Sequence, residues 1–180
     1  MNPVPTPSCF ADVDAARQAL QMALPMIEAQ MRDPEVVGSG FLCIVVVDPG
    51  LAPGSVPFED AVLLEHAIGD RLKWDADYAA FARAKAKASW DQGMDGHRLQ
   101  ALQPHRLAEG DTLLWGAVHL DGIVVGVSGA FPYYDEAFAT AVAACLRAQA
   151  KRRWQQAVDA KQLHAGHRHA KPRPADPVAP

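Results

Sequence analysis

Cysteine is scarce: three residues in 180, Cys9, Cys43 and Cys145, odd in number, widely spaced and without a CxxC pair. That pattern excludes a disulfide framework and a zinc ribbon, and leaves Cys43 and Cys145, set in apolar runs, as expected buried thiols. Long apolar runs are also missing. The densest, residues 41–47 (FLCIVVV), falls far short of the roughly 20 residues that a membrane-spanning helix needs. Neither sign of charge dominates: 17 Lys and Arg against 21 Asp and Glu leave a formal charge of -4, with no global pull toward phosphate backbones or anionic membranes. The opening MNPVPTPSCF has neither the basic nor the apolar segment of a secretory signal, so a cytoplasmic protein without nucleic-acid or membrane partners is expected. Walker, dinucleotide-binding and HExxH motifs are lacking, and no paired-carboxylate spacing stands out.

What is present is enough apolar residue, 49% of the chain, for one domain with a real core. The expected division is a loose lead-in over residues 1–11, a domain over 12–158 and a Pro/His-rich tail over 159–180. Val13, Ala16, Leu20, Leu24, Ile27 and Met31 recur at helical spacing behind Asp12, a cap, with Pro25 expected to kink or restart the helix. Residues 41–47 read as a strand covered on both faces, and 61–68 (AVLLEHAI) as a second strand. Residues 77–91 are alanine-rich and helical, with Asp75 as the expected cap and Gly93 as the stop. A last helix follows the turn at Pro132, its apolar stripe running from Ala137 to Leu146.

The most informative stretch is residues 113–129, LLWGAVHLDGIVVGVSG, because Asp-Gly between two β-rich runs predicts a two-residue turn with positive φ. That turn sets Leu120 opposite Ile123, Val118 opposite Val125 and Ala117 opposite Gly126. One face of the hairpin is then aliphatic. The other carries Trp115, Ala117, His119, Val124, Gly126 and Ser128, with small residues where a helix, a ligand or another subunit can approach closely. An antiparallel sheet with helices on its faces, an α/β (α+β) fold, fits this order best.

Ser128 sits in GVSG, whose spacing is not that of a nucleophile elbow, so it reads as a turn or pocket serine. With Gly129, Tyr133, Asp135 and Glu136 it should gather at the junction of the hairpin and the last helix, either as a ligand pocket or as plain helix capping. Lys85 shares a helical face with Tyr78 and Ala82, where it either neutralises a buried acid or packs its stem and reaches solvent. His66 and His119 are single strand histidines, more readily structural than catalytic. His164, His167 and His169 cluster in the tail as a weak potential metal site; otherwise no metal is expected.

In order along the chain, CIVVVD, AVLLEHAIGD, FARAKAKASW, DTLLWGAVHLDGIVVGVSG and FPYYDEAFATAVA resemble the GlcG/HbpS-like family over residues 12–158. The likeness is most specific at Lys85 and Ala86, at Gly126 to Gly129, and at the acidic pair Asp135 and Glu136. It implies a profilin-like sandwich assembled as a homo-oligomer, and a link to haem; with the residues read above, a protein of at least two chains that binds haem or a small carboxylated ligand through Lys85, Trp115, Ser128, Gly129, Tyr133, Asp135 and Glu136 is expected. An enzyme of small-acid catabolism using Lys85 with Asp135 or Glu136, and a purely scaffolding protein, are the alternatives. The loop PGLAPGSVPFED departs from the family's usual glycine hairpin, and no residue is carried over as an iron ligand.

Overall fold

The computed structural model describes residues 5–161. Its centre is a four-stranded antiparallel sheet in the order β2-β1-β4-β3, built from β1 (Leu42–Val47), β2 (Val62–Ile68), β3 (Ala117–Leu120) and β4 (Ile123–Ser128). β1 lies between two neighbours with both its faces covered, and all six of its residues are buried. Continuous β-branched sequence has that meaning here. Burial pushes the Cys43 thiol up to about 12, which keeps it unreactive near neutral pH.

The Asp-Gly turn forms as its sequence predicts. Asp121 and Gly122 take φ of 51° and 87°, and Val118 pairs with Val125, His119 with Val124 and Leu120 with Ile123. Helices α1 (Val13–Gln30) and α5 (Pro132–Asp159) cover the aliphatic face, where Ile27, Ile44, Val46, Val125, Val142 and Leu146 meet without solvent. Asp12 caps α1 by accepting from the Ala15 N–H at 2.9 Å, and the helix runs through Pro25 without a break. One lost backbone bond is offset there by Leu20, Ala23 and Ile27, all buried around the proline.

Helix α3 (Tyr78–Gln92) covers the opposite face and ends at left-handed Gly93. Its cap is Asp77, which accepts from the Ala80 N–H; the expected cap, Asp75, instead accepts from the Tyr78 hydroxyl at 2.7 Å. Of the helix, ligand or second subunit that the small residues of the hairpin's other face allow, it is a helix of the same chain that approaches: Ala117, Val124 and Ser128 are all buried. The reason is the missing Cβ at Gly126. One built there would stand 2.5 Å from the Ala82 carbonyl and 2.8 Å from the Ala86 Cβ, so α3 reaches the sheet only over glycine and alanine.

Two short helices, α2 (Phe58–Ala61) and α4 (Gly96–Leu102), were not expected from the sequence. The lead-in also makes contacts, with the Ser8 N–H donating to Asp48 at 3.0 Å. Among the described residues, no helix is long and apolar enough to cross a membrane. The histidines at 164, 167 and 169 and most of the tail lie outside the described residues.

Candidate functional site

The site forms where the hairpin hands over to α5. Phe131 is extended and Pro132 opens the helix, a position where its missing N–H costs nothing and its fixed φ already suits the turn. Asp135, in that first turn, points inward and is 1% exposed; Lys85 from α3 is 4% exposed, and their charged groups meet at 2.7 Å. The ammonium also donates to the Val127 carbonyl at 3.1 Å and to the Ser128 hydroxyl at 3.3 Å, which uses all three of its donors. The other Asp135 oxygen accepts from the Ala130 N–H at 2.9 Å. Four of the residues singled out in the sequence, Lys85, Ser128, Gly129 and Asp135, thus come together, but inside the molecule.

Burial pushes the Asp135 carboxyl up to about 7, against the charge and hydrogen bond of Lys85 and the backbone donors of Ala130 and Gly129. Room for this carboxyl comes from Gly116, at φ 136°, where an added Cβ would stand 2.6 Å from that of Asp135. No other residue type fits that slot.

The next residue along the helix is turned about 100° away. Glu136 therefore faces outward, and its carboxylate meets Nδ1 of His97 at 2.5 Å. His97 stands on α4, which is held by buried Leu99 and by Asp95, whose carboxylate accepts the His119 N–H of β3 at 2.8 Å. The His97 and Trp115 rings meet edge to face at 5.9 Å. Tyr133 stacks on Phe131 at 6.0 Å with planes 8° apart, and is 58% exposed.

His97, Gln100, Ala101, Trp115, Tyr133 and Glu136 together line a cleft of about 490 Å³. The other three singled-out residues, Trp115, Tyr133 and Glu136, are here, at the surface. In the neutral imidazole, donation of the Nδ1–H to the Glu136 carboxylate leaves the lone pair on Nε2. That arrangement suits a ligating or proton-accepting imidazole. His97 was not singled out in the sequence, because a seven-residue helix with one buried leucine leaves no periodic signal. His66 is half-buried on β2, where burial lowers its pKa against the pull of Glu28, and His119 is half-buried on β3. Among the described residues, no three His, Cys, Asp or Glu side chains are gathered as a metal site.

No family model and no curated protein matches this chain. Among solved structures it is similar to the crystal structure of the Klebsiella pneumoniae protein ORFY, of family model DUF336, at 18% identity over 76% of this chain and 90% of that one, with a TM-score of 0.49. It is likewise similar to the crystal structure of a PduOC–haem complex, at 16% identity over 78% of this chain and 95% of that one, with a TM-score of 0.47.

Proposed function

We propose that this chain is a small-ligand-binding protein whose cleft between α4 and α5 takes a flat conjugated ligand, haem in particular. The observation that carries this reading is the His97–Glu136 pair, placed in an aromatic cleft and leaving Nε2 available as a donor to a metal. Trp115 and Tyr133 offer ring surface to an apolar planar body, and the cleft volume is within the usual range for small-molecule sites, about 300–1,000 Å³. The lining holds no lysine or arginine and does hold Glu136, so it suits the apolar face of such a body, and the propionates of haem would lie outside this lining, toward solvent. His97 is the residue that would hold haem iron, with Glu136 fixing its tautomer. Haem bound there supplies a redox-active iron.

Lys85, Ser128, Gly129 and Asp135 serve as the frame behind the cleft: they anchor the first turn of α5, from which Tyr133 and Glu136 project. In the enzyme alternative, Lys85 and Asp135 do not reach the cleft surface, so acid–base work falls to His97 and Glu136. Tyr133 in the cleft is 58% exposed, and Leu102, next in sequence to the lining residue Ala101, is 67% exposed; a second copy of the chain is the proposed cover for them.

Haemin titration tests the reading. The wild type is expected to give a saturable, shifted Soret band at one haem per chain, with His97→Ala binding at least tenfold more weakly and with an altered spectrum. Identical spectra and affinity in the two proteins would overturn it. Light scattering on the same samples is expected to give at least two chains, and a strict monomer would remove the second copy.

A further inference from the structure

A second cleft, of about 370 Å³, lies elsewhere on α5 and shares no lining residue with the first. Phe10 from the lead-in, Ile123 from the hairpin and Trp154 from α5 make its apolar part, and Trp154 is 53% exposed. Three charged residues line it: Arg147, Lys151 and Asp121. Neighbouring cations on the helix are engaged elsewhere, Arg153 with Asp12 at 2.6 Å and Arg152 with Gln18 at 2.9 Å. Arg147 donates to Asp121 at 2.5 Å, which leaves further guanidinium N–H groups. Lys151 has no acidic partner among the described residues.

We infer that this cleft is a binding site for a small amphipathic monoanion, a carboxylate head on an apolar body. Two cations and one carboxylate leave the lining with one net positive charge, which matches a single negative head and disfavours a dianion such as a phosphate monoester. Lys151 and the remaining Arg147 donors sit one helical turn apart on the same face, so a carboxylate can accept from both. An aromatic and aliphatic floor receives the body, and burying it supplies most of the affinity. The site is built from four chain segments, of which the lead-in is one.

Decanoate is the probe, titrated calorimetrically below its micellar range, with decanol as the neutral control. The expected result is saturable binding at one decanoate per chain, at least tenfold weaker in Lys151→Glu and in Trp154→Ala, and unchanged in His97→Ala. Lys151 and Trp154 are exposed or half-exposed, so neither variant threatens the core. Non-saturable uptake, decanol binding as tightly as decanoate, or equal affinity in Lys151→Glu would each overturn the proposal. Binding lost in His97→Ala but kept in Lys151→Glu would also overturn it, by moving the ligand to the other cleft.

Discussion

On one side of the sheet, α1 and α5 bury Ile27, Ile44, Val46, Val125, Val142 and Leu146 in a largely aliphatic layer. On the other, α3 touches the hairpin through Ala82, Ala86 and Gly126, and the contact ends in the Lys85–Asp135 pair. The two sides hold the chain together by different physics. An aliphatic layer gains in proportion to area and loses gradually when a methylene is removed. An alanine–glycine contact gains little by area, but it fixes a distance, and only at that distance can a lysine on α3 reach a carboxylate on α5. The candidate cleft draws Tyr133 and Glu136 from the first turns of α5, which that pair anchors.

Breaking the ion pair should have the largest effect. Asp135→Leu leaves a buried ammonium without its counter-charge, which is expected to cost about 3–5 kcal/mol, whereas Lys85→Met combined with Asp135→Leu should recover most of that loss. Urea denaturation of the two proteins checks this, and a double variant no more stable than the single one would count against the pair as drawn. Next comes the contrast between layers. Leu146→Ala is expected to cost about 2–5 kcal/mol, and Gly126→Ala about 1–3 kcal/mol. Only the glycine variant should also weaken haemin binding, since it alone pushes α3 from the sheet. Equal haemin affinity in both would erase the distinction.

A pH dependence tests the same carboxyl. An unfolded Asp titrates near 3.9, roughly, and burial holds folded Asp135 at about 7, so between those values the folded chain keeps a proton that the unfolded chain releases. The stability this adds is complete below about pH 4 and is lost as pH rises through about 7. Burial also acts on Asp12 and Glu65, but there it is outweighed, by the Ala15 N–H and Arg153 for Asp12 and by Arg83 and Arg71 for Glu65. Both carboxyls are held below their ordinary range, so their stabilisation is present above it and lost as pH falls. Subtracting the Asp135→Asn denaturation midpoints from those of the wild type, pH 4 to 8, isolates the first contribution. The difference should decline with pH, and a flat one would contradict the raised Asp135 value.

Much of this was legible in the sequence where local chemistry decides structure. Asp121 and Gly122 dictate a turn, the turn dictates the register, and the register places Gly126 under α3. The buried run of β1 and the Gly93 stop are legible in the same way. What local chemistry does not encode is pairing across distance: Lys85 and Asp135 stand out individually, but the bond between them spans 50 positions. What covers the hairpin's other face was left open for a related reason, since alanine and glycine admit a helix, a ligand or another subunit alike. His97 escaped because α4 is held by a single leucine and by the Asp95 contact to β3, neither of which leaves a periodic trace.

Helix α5 runs unbroken for 28 residues, about 42 Å at the usual helical rise, and it lines both clefts. Tyr133 and Glu136 belong to its first turns, Arg147 and Lys151 to its second half, and Phe138, Val142 and Leu146 clamp the rod between them. A ligand that displaced the rod at one cleft would therefore be felt at the other. Thermodynamic linkage makes that exchange symmetrical: whatever factor a monoanion imposes on haem affinity, haem imposes on the monoanion.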